Sequence, residues 1–489
     1  MSKNTTKRSL LASVFALVLC VAMLVGSTFA WFTDTATTGV NKIVSGKLDV
    51  DIIGADSNDH VSDLKFTKAG MTDAEASAEV LWEPGCRYLT EGFRIANKGN
   101  LALKWKAQVN TGTTVANKGN FDLLDVIDFY LVTKAADGTE TETALGEFTG
   151  NLKKTETSDV YYIKGVMQTT AGIDYQGLTL DGISITVVAT QDTVENDSFN
   201  NQYDKDAEYP ILVTTGDELQ ATVNNATAPV NIVLTNSITT NNFVIPADKD
   251  VTLDLNGRTV TNAGSHTILN KGHLTLTDSS TDKSGQIISL KGNTAALRNG
   301  DNAVCVIEGG TISRDGADGN TWHVVENFGK MTFNGGKVVL KNGNGFAITN
   351  GWNYFDPGAS TTHAVMEINA LGLDTDSSGI KNCRYGDLTV NDVTVTSTGY
   401  WALSNDYLGT AVINGGTLTS NSFKAVSNGA AMTVNGGTFN GTQGFFVQSY
   451  ATSTVLNGGT FANMSVDALS SYVGTGHTAQ QNGTSVIIK

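Results

Sequence analysis

The sequence predicts an all-β protein in which an antiparallel sandwich is followed by a parallel β-helix, a solenoid of stacked coils. Three observations support this prediction. Glycine is frequent, with 52 residues, and proline is scarce, with 5, which suits short strands joined by tight turns. Segments of alternating apolar and polar residues fill the first half. The second half repeats a strand-turn-strand unit at roughly 22-residue intervals.

The first 30 residues have the pattern of a secretory signal peptide. Three basic residues precede an apolar block that starts at Leu10, and small residues lead up to Ala30. The block is shorter than the ~20 apolar residues of a membrane helix. We therefore expect cleavage between Ala30 and Trp31, no stable membrane span after processing, and a secreted, extracellular protein. An uncleaved membrane anchor is the alternative.

Two regions follow the signal peptide. Residues 31–207 contain alternating segments such as "LALKWKAQV" and "ISITVVATQ", which predict an antiparallel sandwich. Residues 210–489 carry the repeat and predict the solenoid. An amphipathic helix is expected near residues 214–226, where Leu219 and Val223 are four residues apart, and it would cap the apolar end of the stack.

The repeat carries an asparagine directly after a short apolar strand, as in "MTFNGGKVV" and "MTVNGGTF". Stacked coils place equivalent residues above one another, so these asparagines are expected to form a hydrogen-bonded ladder inside the fold. This role is structural. The ladder comprises Asn334, Asn369, Asn391, Asn414, Asn435 and Asn457.

The net charge of −16 argues against nucleic acid or anionic lipid as a partner, because either would be repelled. No cofactor is predicted, although calcium at acidic turns is left open. Removal of the signal peptide leaves Cys86, Cys305 and Cys383, which do not form a disulfide framework. They are expected to be small buried residues.

Two segments, "STFAWFTDTATTGVNKIVSGKLDV" and "WEPGCRYLTEGFRIANKGNLALKWK", resemble the camelysin/TasA family, exported proteins of Gram-positive bacteria that include biofilm-matrix fibre subunits. The matching positions are Ala30, Phe32, Asp34, Gly46, Leu48, Asp49, Pro84, Gly85, Phe93, Asn97, Gly99, Leu101 and Lys104. Cys86 replaces a usual aspartate. The resemblance implies a jelly-roll sandwich, export through a dedicated signal peptidase, and self-association in the cell surface or biofilm matrix.

The solenoid is similar to the right-handed, pectin-lyase-like β-helices of bacterial surface proteins. The resemblance to the camelysin/TasA family covers the first 207 residues and does not extend into this region.

The segment after the cleavage site is a candidate polymerisation strand. It has few charges and no proline, so it can pair with the open sheet edge of a neighbouring subunit. An ordinary first strand of the sandwich is the alternative. The residues proposed for this role are Trp31, Phe32, Asp34, Val40 and Ile43.

No catalytic residue is assigned. None of the six histidines forms the His-Glu-x-x-His motif of zinc proteases. A polysaccharide-cleaving site needs clustered carboxylates. The candidates are Asp374 and Asp376 with Arg384, Asp315 with Asp318, and Asp278 with Glu308, and each is also explained as a turn or ladder residue. A non-enzymatic role is therefore favoured, and a carbohydrate-active enzyme is the alternative.

Aromatic residues gather in an insertion and in later coils, where exposed rings could stack on sugars. The alternative is that they pack inward. These glycan-contact candidates are Trp352, Tyr354, Phe355, Tyr400, Trp401 and Tyr407. The combined prediction is a secreted structural or adhesive protein whose solenoid contacts a glycan or a surface protein.

Overall fold

A computed structural model of the chain describes residues 47–61, 64–67, 80–115, 121–192, 208–316, 322–343, 345–352 and 361–489. The structure is 50% strand and 6% helix, which confirms the all-β prediction. The predicted signal peptide lies outside the described residues, as do both sides of its cleavage site and the whole candidate polymerisation strand, namely Ala30, Trp31, Phe32, Asp34, Val40 and Ile43.

Antiparallel strands form the N-terminal region. They are β1 (Val50–Gly54), β2 (Phe66–Thr67), β3 (Arg87–Thr90), β4 (Phe93–Asn97), β5 (Leu103–Val115), β6 (Ile127–Lys134), β7 (Glu140–Ala144), β8 (Glu147–Leu152), β9 (Tyr161–Met167) and β10 (Thr179–Gln191). Short 3₁₀ turns occur at Leu123–Asp125 and Ile173–Tyr175.

These strands belong to two hydrogen-bonded sheets. One has the order β1-β4-β9-β3-β2, with β6 paired to both β9 and β7, and the other has the order β10-β5-β8. The strands share a core that includes Phe93, Trp105 and Ile163. Together they form a curled half-barrel. The structure thus shows an open antiparallel arrangement where the sequence predicted a jelly-roll sandwich.

The rest of the chain is a parallel β-solenoid of about ten turns, as the repeat predicted. Its coils contribute to three sheets. The first sheet contains β11 (Ile211–Val213), β12 (Val230–Leu234), β15 (Asp250–Asp254), β18 (His273–Thr277), β21 (Val304–Ile307), β24 (Lys330–Phe333), β27 (Ala364–Ile368), β30 (Gly386–Val390), β33 (Thr410–Ile413), β36 (Ala431–Val434) and β39 (Ser453–Leu456).

The second sheet contains β13 (Ile238–Thr240), β16 (Thr259–Asn262), β19 (Gln286–Ser289), β22 (Thr311–Asp315), β25 (Lys337–Lys341), β28 (Gly372–Thr375), β31 (Thr394–Ser397), β34 (Thr417–Ser420), β37 (Thr438–Asn440), β40 (Gly459–Phe461), β41 (Ala479–Asn482) and β42 (Ser485–Ile488). The third sheet contains β14 (Phe243–Ile245), β17 (Ile268–Asn270), β20 (Leu297–Asn299), β23 (Val325–Asn327), β26 (Phe346–Asn350), β29 (Ser378–Asn382), β32 (Leu403–Asn405), β35 (Val426–Asn428) and β38 (Phe445–Val447).

The interior of the solenoid is apolar because every strand alternates between inward and outward side chains. In the first sheet, Leu253, Leu276 and Ile307 stand in register on successive coils and are all fully buried. Coil stacking therefore buries one continuous core rather than a series of separate ones.

Both ends of this core are covered. Helix α1 (Gly216–Asn225) begins at the N-cap Thr215, whose hydroxyl accepts a hydrogen bond from Glu218 N, and it buries Leu219 and Val223. At the other end lie α2 (Val466–Leu469), a 3₁₀ turn at Ser470–Tyr472 and the β41–β42 hairpin, which pairs antiparallel with β40. In the described part of the chain, no helix is long and apolar enough to cross a membrane.

The half-barrel packs against the first coils of the solenoid. Val188 of β10 shares a buried cluster with Leu212 and Val233. Asn110 Nδ2 of β5 donates to the carbonyl of Thr235 at 2.8 Å. A further hydrogen bond of 3.2 Å runs from Arg258 Nη2 to the Ser184 hydroxyl. The two regions therefore meet across a packed interface.

Candidate functional site

The strands of the third sheet share a three-residue pattern that builds a surface groove. In β32, Leu403 and Asn405 point inward and Ser404 points outward. The same position of each coil lies on the outer side of the sheet, although neighbouring groups bury it at Glu326, Thr349 and Ser427. In stacking order, this floor is Arg298, Glu326, Thr349, Lys381, Ser404, Ser427 and Phe446.

A buried asparagine ladder supports the floor from behind. Each side-chain Nδ2 except that of the last member, Asn428, donates to the Oδ1 of the next asparagine, at 2.7 to 2.9 Å, and no member is more than 1% exposed. These bonds tie the coils together at one corner of the solenoid. The members are Asn270, Asn299, Asn327, Asn350, Asn382, Asn405 and Asn428.

A pocket of about 190 Å³ opens on this face. Lys381, Ser404 and Ser427 lie on its floor. Trp401 precedes its strand and stands at one edge, whereas Asp406 and Tyr450 follow theirs and stand at the opposite edge. The pocket therefore combines aromatic walls with polar groups on the floor, the arrangement that is typical of small-ligand sites.

The charges in the pocket are paired. Lys381 Nζ lies 3.2 Å from Asp406 Oδ2 and 5.4 Å from the centroid of the Phe346 ring. The second oxygen of Asp406 accepts a hydrogen bond from the Tyr407 backbone N–H at 2.8 Å. Burial, and secondarily the Asp406 carboxylate, raises the pKa of Tyr450. Its hydroxyl is therefore neutral at physiological pH and can both donate and accept hydrogen bonds.

On the coils nearer the N-terminus, the charged groups of the third sheet are also paired with an opposite charge. Arg298 Nη1 lies 3.0 Å from Glu326 Oε2, and the guanidinium lies 4.6 Å from the Phe328 ring centroid. Burial lowers the pKa of His323, so this imidazole is neutral near pH 7. Trp352 packs on Phe328 with ring centroids 4.6 Å apart.

The structure places several predicted glycan-contact residues around the groove. Trp401 lines the pocket, and Tyr400 packs beside it, with ring centroids 6.1 Å apart. Tyr407 follows Asp406 at the opposite edge. Tyr400, Tyr407 and Tyr450 are all more than 40% exposed. Trp352 is half-buried, and Tyr354 and Phe355 lie outside the described residues.

The sequence analysis did not find Lys381, Asp406, Ser404, Ser427 or Tyr450. Lys381, Ser404 and Ser427 are single residues on successive coils, so no local motif connects them. The sequence does contain a pattern that could have identified the floor residues: the segments "IKN", "LSND" and "VSN" share an apolar-x-Asn pattern. The x position of that pattern is the groove floor.

The predicted asparagine ladder lies at a different corner, between the first and second sheets. Its side chains form a continuous series of hydrogen bonds of 2.7 to 3.0 Å from Asn334 to Asn457. All six residues are exposed or half-buried. The expectation that this ladder lies inside the fold is wrong, because its side chains project outward from the turns. The interior position belongs to the second set of asparagines.

The carboxylates considered for catalysis do not converge with Arg384. Asp374 lies on the second sheet, where its Oδ2 is 2.6 Å from Lys337 Nζ. Asp376 accepts a hydrogen bond from the Asn342 backbone N–H at 2.5 Å. Arg384 follows the third sheet and donates to the Tyr385 hydroxyl at 3.0 Å. A concerted role for these three candidates is therefore not supported.

The other carboxylates considered for catalysis accept hydrogen bonds from backbone or asparagine N–H groups of neighbouring coils and turns. Asp278 is buried and accepts hydrogen bonds from the backbone N–H groups of Gly257 and Gly285, at 2.9 and 2.7 Å. Glu308 accepts a hydrogen bond from Asn334 Nδ2, which extends the surface ladder by one residue. Asp315 accepts from Asn342 Nδ2 at 2.7 Å, and Asp318 lies outside the described residues.

Over the described ranges, no group of three or more His, Cys, Asp or Glu side chains is placed to hold a metal ion. Cys305 and Cys383 are buried, and Cys86 is half-buried. Burial raises the pKa of Cys383 to about 12 and also raises that of Cys305. These two thiols are therefore protonated and unreactive at neutral pH.

No protein-family model, curated protein or solved structure matches the chain.

Proposed function

We propose that the protein is a secreted structural or adhesive protein of a bacterial surface or biofilm matrix, and that its solenoid binds a glycan in the groove of the third sheet. The observation that carries the proposal is the pocket in which Trp401 and Tyr450 flank a polar floor. Aromatic rings offer sugars an apolar face for stacking, and hydroxyl and charged groups hydrogen-bond to their hydroxyls.

The distribution of exposed aromatic rings supports a binding role for this face. Four aromatic residues are among the exposed large hydrophobic residues of the described chain. Tyr450 lines the pocket, Tyr400 and Tyr407 are chain neighbours of the lining residues Trp401 and Asp406, and Phe121 lies in the N-terminal region. Exposed rings gathered at one place usually mark a contact surface, whereas scattered ones need no explanation.

The groove favours binding over hydrolysis. The two carboxylates on the described residues of the groove, Glu326 and Asp406, are each engaged by a cation, at 3.0 and 3.2 Å respectively. An acid and base pair for glycoside cleavage requires one protonated carboxyl group and one free carboxylate. An enzymatic role remains the alternative function.

The N-terminal region is proposed to assemble the protein. The ordered motifs from Ala30 to Lys104 support a camelysin/TasA-like exported protein that a dedicated signal peptidase processes and that self-associates. We propose that the half-barrel is part of a jelly roll and that the coils of the solenoid wind right-handed.

The test is binding to a panel of immobilised bacterial and host polysaccharides by the chain without residues 1–30. We expect saturable binding that Trp401→Ala weakens by about tenfold, the equivalent of ~1.4 kcal/mol. Val365→Ala is the control, because Val365 is 41% exposed on the first sheet. The proposal fails if no polysaccharide binds, or if both variants bind as the parent does.

A further inference from the structure

We infer that the pocket takes a neutral hexosyl unit, whose neighbouring hydroxyls are held by Lys381 and Asp406 while its ring lies between Trp401 and Tyr450. This inference rests on the proposed function and specifies the chemical class of the glycan. It follows from the size of the pocket, from the pairing of its charges and from the way its polar groups are held.

The size of the pocket limits what it can accept. Its volume of about 190 Å³ is below the ~300 Å³ at which pockets for drug-sized ligands begin. It therefore holds one ring-sized group, and the rest of a longer glycan would extend along the groove or into solvent.

The pairing of charges argues for a neutral sugar. The Lys381 ammonium is already compensated by Asp406 at 3.2 Å, so the pocket has no excess positive charge for a carboxylate. A uronic acid placed here would bring a second carboxylate close to Asp406, and like charges at short range repel. The net charge of the whole chain, −16, opposes an anionic ligand further.

The paired groups can still bind hydroxyls. An ammonium carries three donors, and a carboxylate accepts at up to about four positions. Of the groups on the described residues, Lys381 Nζ is within ion-pair distance of Asp406 alone. Adjacent donor and acceptor groups match two neighbouring hydroxyls of a sugar ring, each of which can accept from one group and donate to the other.

The surrounding residues hold this arrangement before any ligand binds. The Tyr407 backbone N–H fixes Asp406 at 2.8 Å, and Gln448 Nε2 donates to the Ser427 hydroxyl at 3.1 Å. Gly429 leaves room for the Tyr450 ring, because a Cβ at position 429 would lie 2.7 Å from a ring carbon. A preorganised site loses less entropy on binding.

The test compares matched oligosaccharides by isothermal titration calorimetry. Neutral oligomers of glucose, galactose and mannose are titrated beside oligomers of glucuronate and galacturonate. At least one neutral oligomer is expected to bind about tenfold or more tightly than its uronate counterpart, and Asp406→Asn and Lys381→Met should each weaken that binding about tenfold. Lys337→Met is the matched control, since Lys337 forms a half-exposed pair with Asp374 on the second sheet.

The outcomes separate the two levels of the proposal. Tighter binding of a uronate overturns the inference and leaves glycan binding intact. Binding that is insensitive to Asp406→Asn and Lys381→Met but sensitive to Trp401→Ala also overturns it. If the unsubstituted protein binds none of the oligosaccharides, the proposed function itself is wrong. Gly429→Ala provides a second variant that displaces Tyr450 and keeps every polar group, and it should weaken binding while thermal melting shows the coils intact.

Discussion

At the residue scale, the buried asparagine ladder places a continuous row of polar side chains in the interior of the solenoid. Asn327 Nδ2 donates to Asn350 Oδ1, and Asn327 Oδ1 accepts from Asn299 Nδ2. Removing this side chain takes the donor from Asn350 Oδ1 and the acceptor from the Gly329 N–H, and leaves Asn299 Nδ2 with only backbone carbonyl acceptors. Unsatisfied buried groups cost about 1–3 kcal/mol each.

We therefore predict that Asn327→Ala lowers the free energy of unfolding by about 2–4 kcal/mol. Asn414→Ala, in the surface ladder, should cost less than about 1 kcal/mol because water replaces its partners. Urea denaturation of both variants measures the difference. Equal losses would show that the two ladders are equivalent and that burial is not decisive.

Burial of His323 should make the free energy of unfolding depend on pH. Burial lowers its pKa from the usual 6.5 in the folded chain, so below that value the unfolded chain binds a proton more readily than the folded chain does. The free energy of unfolding therefore falls as the pH drops below about 6.5 towards the folded pKa. His323→Gln should reduce this slope between pH 7 and pH 5. His273→Gln, whose side chain is 60% exposed, is the control, and an identical slope in all three proteins would contradict the assignment.

At the element scale, α1 must fit closely onto the second sheet. Alanine stabilises a helix interior by about 1 kcal/mol relative to glycine, and at most by that much at Gly216, the first residue of α1. At Gly216, however, a Cβ would lie 2.3 Å from the carbonyl oxygen of Thr239. The cost of this steric contact exceeds the gain in helix propensity, because either α1 or β13 has to move to relieve it.

Gly216→Ala is thus predicted to lower the melting temperature, against helix propensity. Gly292→Ala serves as the control, because its Cβ would meet no atom within 4 Å, and it should leave the melting temperature unchanged or slightly raised. Stabilisation by Gly216→Ala would mean that α1 does not sit on β13 as described.

The elements also show what the sequence could and could not predict. The solenoid follows from its repeat, because each asparagine and glycine turn recurs in sequence. The groove does not, because Lys381, Ser404 and Ser427 become neighbours only when coils stack. Asn334 directly follows the buried Phe333 and points outward, whereas Asn382 stands two residues after the buried Ile380 and points inward. In the half-barrel, β1 pairs with β4 and β5 pairs with β10 across intervening strands, so the curvature of the sheet is not encoded in any local pattern.

At the scale of the whole molecule, the interface between half-barrel and solenoid should couple their unfolding. Val188, Leu212 and Val233 are each less than 10% exposed, and Val188→Asp would bury an unpaired charge among them. We predict one calorimetric transition in the parent and two in Val188→Asp. Val455→Asp, at an exposed site on the first sheet, is the control. Two transitions in the parent would show that the regions are independent.

Glycan recognition in the groove is the central claim, and a crystal structure of the protein with its tightest-binding neutral oligosaccharide tests it most directly. The account predicts density for one sugar ring between Trp401 and Tyr450, with neighbouring hydroxyls within hydrogen-bond distance of Lys381 Nζ and the Asp406 carboxylate. A bound oligosaccharide on the first or second sheet, with the pocket of the third sheet unchanged, would contradict it.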